Sequence, residues 1–186
     1  MELQPQQDLL NAEELRIVKF GTFWPRFWAL LLDGLILAVL APINILNNTE
    51  WKSIAVLILI TLVQISYKSV FEYKSGATPG KMALRLKVVD NEFHRASLGK
   101  ILARNIFQII SVLLAFCLAL YAYYQPGFEY ASTSIAYAAL GNVRTVSLVL
   151  NCVIFAIYII DLIVMLTSDE SKSLHDKIGG TCVIRE

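Results

Sequence analysis

The sequence predicts an all-α membrane protein: four transmembrane helices in two hairpins, with a small cytoplasmic helix–strand element. Three observations carry this. The 186 residues are 56 % hydrophobic, against roughly 45–50 % in a soluble domain, and the mean hydropathy is +0.59. The apolar residues fall into four blocks, near 27–46, 51–71, 101–124 and 146–166. Each block comes close to or exceeds the ~18 residues that cross a bilayer. None shows polar positions at 3.6-residue spacing, so none reads as a half-buried helix of a soluble core.

Charge sets the orientation. All 16 Lys and Arg residues except Lys52 and Arg144 fall on one side of a four-span chain, and short basic loops stay cytoplasmic. Both termini, the loop 72–100 and the tail 167–186 are therefore expected inside, in a bacterial inner membrane. Trp24 and Trp28 at one end, with Trp51, Tyr121, Tyr123 and Tyr124 at the other, suit aromatic belts. Residues 1–23 are polar, carry Glu2, Asp8, Glu13 and Glu14, and lack the pattern of a cleavable signal. They read as a cytoplasmic segment ahead of a membrane domain at 24–184. On the outer side, Asn47-Asn48-Thr49 matches a glycosylation sequon.

Several chemistries are excluded. Cys117, Cys152 and Cys182 have no paired spacing, so neither a disulfide framework nor a zinc site is expected. "GATPGK" at 76–81 is one residue short between its glycines for a phosphate loop, and Met82 replaces the Ser or Thr. No nucleophile–base–orienter set, cofactor loop or nucleic-acid motif is visible. The reading is of a non-enzyme with no catalytic residues, metal, cofactor or nucleic-acid partner.

The loop 72–100 reads as structured. Thr78-Pro79 opens a short helix "PGKMALRL", "LKVV" is β-prone, "DNE" is a turn, and Ser97 caps the helix leading into the third block. The tail repeats the plan: "TPGKMALRLKVV" (78–89) aligns without gaps onto "SLHDKIGGTCVI" (173–184). Each half is then a hairpin followed by a helix–strand element, related by an axis along the membrane normal. Isolated four-residue strands leave backbone groups unpaired, so Leu86–Val89 is expected to pair with Thr181–Ile184. His175-Asp176 reads as the first turn of a helix, where an acid suits the dipole. Asp176 is expected to meet Lys81, or a basic residue such as Arg26, as a cytoplasmic clasp.

A polar layer crosses the cytoplasmic third of the four blocks. It holds Asp33, Gln64, Asn105, Gln108, Ser111 and Asp161, with Arg26, Lys68 and Arg104 at its mouth. An Asp at the bilayer centre costs about 2.5 to 3.5 kcal/mol, so these carboxylates face the interior or water. Arg26 and Asp33 lie two turns apart on nearly one helix face and can approach along it. Two readings follow for Arg26, Asp33, Gln64, Gln108 and Asp161: an ion, proton or solute site in a cytoplasm-facing vestibule, or a network that locks the helices.

Three stretches together resemble the RDD family of membrane proteins: "RFWALLLDG", "SGATPGKMALRLKVVD" and "LHDKIGGTCVI". The resemblance runs from about Phe20 to Ile184, and the Arg and two Asp that name the family look like Arg26, Asp33 and Asp176. Pro79 stands where the pattern often has Leu. The resemblance implies a membrane fold and transport, with sodium–proton antiport suggested for some members. The expected activity is transporter-like, with Asp33 responding to a monovalent cation or proton and Asp161 assisting. Four spans are few for a permeation path, so a homo-oligomer in the lipid bilayer is expected. The alternative is an accessory protein that binds a membrane partner.

Overall fold

The structure, a computed structural model, describes residues 19–125, 128, 142–168 and 170–185, with the backbone alone at 142–144. Three helices are long and apolar enough to cross a membrane: α3 (Ile54–Ser75), α6 (Ile106–Tyr123) and α7, whose spanning part is Thr145–Thr167 within Asn142–Thr167. The first apolar block is not one straight span. It is α1 (Phe23–Leu37) and α2 (Leu40–Leu46), and the helical path on to Trp51 is bent by 41°. Pro42 is the cause. It has no N–H to give the Ala38 carbonyl, which takes an N–H from Ala41 at 3.0 Å instead. The chain thus has three straight candidate spans, or four if the bent pair counts as one.

The third block is also divided. The helix α5 (Leu98–Arg104) begins at Ser97, whose hydroxyl accepts from the Lys100 amide, and ends at Asn105, where the backbone leaves the helical region. A separate α6 then carries the span. At the far end of the bundle, Asn47 is fully buried, and its amide donates to the Ser53 carbonyl at 3.1 Å and the Tyr123 hydroxyl at 2.8 Å. A side chain so engaged is not a glycan acceptor, which removes the sequon reading.

The opposite end is closed by a small antiparallel sheet of order β1-β3-β2, in which the β2–β3 ladder was expected and β1 is an addition. Strand β2 (Leu86–Asp90) pairs with β3 (Thr181–Arg185) in the register Leu86↔Arg185, Val88↔Val183, Asp90↔Thr181. The two β-prone runs do pair. A third strand, β1 (Lys19–Phe20), joins the other side of β3, so the chain before the first helix belongs to this sheet. Leu86, Val88 and Val183 bury their side chains with Ala29 of α1, which seats the sheet on the bundle. Two short helices precede the strands, α4 (Pro79–Ala83) packed on α1 and α8 (Leu174–Gly179) packed on α5.

Candidate functional site

Asp33 lies on α1 above the start of α4. Its carboxylate accepts from the Tyr67 hydroxyl at 2.8 Å, the Thr78 hydroxyl at 2.5 Å and the Gly80 amide at 2.8 Å. Thr78 stands at the cap position of α4 but makes no side-chain bond to its own helix, giving its hydroxyl to Asp33 instead. A carboxylate from another helix therefore fills the orphan N–H end of α4. Position 80 has to be glycine for this. A Cβ there would sit 2.9 Å from the Asp33 carboxyl carbon and inside the Ala29 carbonyl. Arg26 does not approach Asp33. Helix side chains lean toward the N-terminus, and Arg26 reaches the other way, donating to the Gly21 carbonyl at 2.7 Å and to Asp176 at 2.5 Å.

Asp176 is the centre of the second arrangement. Ser173 and Asp176 form a capping box at the start of α8. The buried carboxylate pairs with Arg26 at 2.5 Å and with Arg104, at the end of α5, at 3.1 Å. Burial alone would raise this carboxyl, but Arg104, His175 and Arg26 outweigh it and hold it well below the usual carboxylate range. Asp161, on α7, caps the same helix from outside. It accepts the His175 amide at 3.0 Å, and the His175 ring Nδ1 lies 2.8 Å away. Burial pushes the His175 imidazole down.

Lys81 does not meet Asp176. It pairs with Glu72 at 2.5 Å, because α4 packs on α1 while α8 packs on α5, and the two aligned positions face different helices. Burial and the neighbouring Arg104 push the Lys81 ammonium down to about 8. Glu72 is the residue that sequence reading missed. It is 1 % exposed, takes a hydrogen bond from Asn105 at 3.1 Å and lies 3.8 Å from Arg104. The signal was present: Gln64, Lys68 and Glu72 follow at spacings of four on one face of α3, so a polar stripe continues below the layer.

Above this charged base lies a cavity of about 320 Å³ between α3, α6, the α2 end and the start of α7. Among the described residues its polar lining is Asn44, Asn48, Thr61, Gln64 and Ser147, with no charged side chain, and the rest of the lining is apolar. The expected vestibule at the basic end is thus replaced by a cavity in the other half, and Asp33 does not line it. Gln64 forms the floor. Its carboxamide makes no hydrogen bond among the described residues, while Gln108 reaches its backbone carbonyl at 3.5 Å. From Gln64 the stripe on α3 descends ~12 Å to Glu72.

Among the described residues, Asp90, Glu92 and His94 also bring ligand-type atoms within 4.8 Å of one another. Asp90 is already engaged by the Glu92 and His94 amides and by Lys100, as the acid of a tight turn. This group reads as turn chemistry.

Apolar helices of spanning length around an interior file of polar and charged side chains define an integral membrane protein. The chain belongs to the RDD family, whose model matches residues 20–180. No curated protein and no solved structure matches it.

Proposed function

We propose that this chain is a non-enzymatic polytopic protein of the bacterial inner membrane, with both termini cytoplasmic, that holds or passes a small solute along its bundle axis. The ligand class is a monovalent cation, a proton or a small polar molecule. One observation carries the reading: a cavity whose largely apolar lining includes five uncharged polar residues among the described ones lies ~12 Å along α3 from an interior charge network at the basic end. In this reading Gln64 is the floor of the site, Gln108 supports it through the Gln64 carbonyl, and the pairs Lys81–Glu72 and Arg26–Asp176–Arg104 are its closed gate. Asp33 and Asp161 are caps rather than ion-binding carboxylates, since donors of the protein already occupy their oxygens. A homo-oligomer would complete the path.

The test is ion flux in liposomes containing purified protein, read with dyes for Na+, K+ and pH. The reading expects flux that Gln64→Leu reduces at least tenfold without loss of protein from the membrane. No flux above empty liposomes, or full flux in Gln64→Leu, would count against it. A second reading, an accessory protein that binds a membrane partner, is favoured by the engagement of Asp33, Asp161 and Asp176 within the fold. Recovery of one stoichiometric membrane partner with flux-inactive protein would support that alternative.

A further inference from the structure

His175 is the one histidine in the charged base, and its ring stands between partners of opposite sign. Nδ1 lies 2.8 and 2.9 Å from the two Asp161 oxygens, while Nε2 lies 3.4 Å from Arg104 Nη2. A carboxylate only accepts and a guanidinium only donates. Both neighbours are therefore served by the neutral ring with its proton on Nδ1, which donates to Asp161 and accepts from Arg104. The Ser173 hydroxyl, 2.9 Å from Nδ1 and 3.2 Å from Nε2, fits either charge state.

The protonated ring does not fit Arg104. A proton on Nε2 points an N–H at a buried guanidinium, 1 % exposed, and removes the lone pair that Nη2 was using. Two acceptors lie near a protonated Nε2, the neutral Ser173 hydroxyl at 3.2 Å and the charged Asp176 Oδ1 at 3.6 Å; the second makes an ion pair with Arg104 Nη1 but no hydrogen bond among the described residues. Imidazolium and guanidinium would then compete for one oxygen.

We propose that His175 is a proton-binding latch: a proton taken from solvent onto Nε2 breaks the Arg104 contact, draws Asp176 Oδ1 to the imidazolium, and frees α5 from α8. The helix α8 stays tied to α7 through Asp161, and to α1 through Arg26 and the other Asp176 oxygen. The released element matters because α5 leads through Asn105 into the span α6. The seam is close: a Cβ on Gly179 would lie 2.7 Å from the Arg104 Cβ, so a small separation there is a change of packing.

Burial is the largest influence on the ring and opposes its protonation, and the charges around it act on top of that. Arg104 of α5 and Lys68 of α3 oppose protonation, while Asp161 of α7 and Asp176 of α8 favour it. Arg26 of α1 and Glu72 of α3 complete the cluster and bear on the ring through Asp176 and Arg104. The latch therefore opens below the ordinary imidazole value of about 6.5. The inference holds whatever the bundle carries.

The experiment is pulsed electron paramagnetic resonance on the full chain in lipid nanodiscs. Nitroxides go at Leu98 on α5 and Ile178 on α8, which are 48 % and 47 % exposed, in a background lacking the native cysteines. Between pH 8 and pH 4 the otherwise native protein should gain a second, longer distance, and His175→Gln should keep the single short one throughout. An unchanged distance at pH 4, or the same response in His175→Gln, would overturn the latch. Should His175→Gln fail to fold, nitrogen-15 spectroscopy of the native protein decides. The chain has two histidines, and a His94→Gln variant assigns the His175 signal. The His175 midpoint should coincide with that of the distance change; midpoints more than about one pH unit apart would refute the coupling.

Discussion

The elements α4–β2 and α8–β3 are built on one plan and held by different forces. In both, a Thr or Ser stands at the helix start, and the second helical amide is capped by an Asp from a spanning helix. The distances are 2.8 Å for Asp33 to Gly80 and 3.0 Å for Asp161 to His175. Each short helix packs on the leading helix of its own hairpin, and the two strands pair with each other. In the first element the Asp33 cap has neutral donors and a fit that only glycine allows. In the second, Gly80 and Lys81 are replaced by His175 and Asp176, and the same place becomes a charge cluster with two arginines. One plan can therefore carry a close glycine fit with a single ion pair, Lys81–Glu72, in one half and a carboxylate shared by two arginines in the other.

The largest effect is expected in the second element. Asp176→Asn leaves Arg26 and the buried Arg104 without their shared counter-charge and should cost about 3–5 kcal/mol. Thermal unfolding in detergent checks this, and a melt like that of the native protein would mean that the clasp holds nothing. In the first element, Gly80→Ala forces a methyl into the Ala29 carbonyl and should cost about 1–3 kcal/mol or somewhat more.

Asp33→Asn presents donor N–H groups to donors and should cost about 1–3 kcal/mol. Both changes act on one contact, so the double variant should lose clearly less than the sum of the two. Additive losses would show that Asp33 and Gly80 do not work together.

Acid should separate the halves. The folded chain binds a proton at His175 less readily than the unfolded chain, so stability falls as the pH drops from about 6.5 towards the lowered folded value. The Asp176 contribution is present above about pH 3.9 and is lost as the pH falls further. His175→Gln should flatten the slope that sets in below about pH 6.5. The smallest effect is the control Gly99→Ala, where a Cβ meets nothing within 4 Å. There, helix propensity should make the change neutral or stabilising by up to about 1 kcal/mol.

Much of this was legible in the sequence because it depends on local pattern. Apolar run length located α3, α6 and α7, and the β-prone runs at 86–89 and 181–184 located the ladder. The pair His175-Asp176 was readable as the first turn of a short helix. What was missed depends on partners distant along the chain. Nothing near Asp33 announces Tyr67 and Gly80, and two residues, Lys19–Phe20, are too few to show a strand pattern. Pro42 and Glu72 were readable. A proline inside an apolar run breaks it, and an acid four residues after Lys68 shares its face. Run length alone obscured both.

The closing of the two elements on each other is tested most directly by cysteine cross-linking of Val88 to Val183 in an otherwise cysteine-free chain. The Val88 amide bonds to the Gly76 carbonyl and the Val183 carbonyl accepts from Gly21. These opposed residues are therefore a non-hydrogen-bonded pair, where Cα atoms of antiparallel strands come within ~4.5 Å. Mild oxidation in native membranes should join Val88→Cys to Val183→Cys nearly completely and leave Val88→Cys with Ile184→Cys unjoined, since adjacent strand residues face opposite sides. Failure of the first pair, or equal joining of both, would contradict the fold from which the site is built.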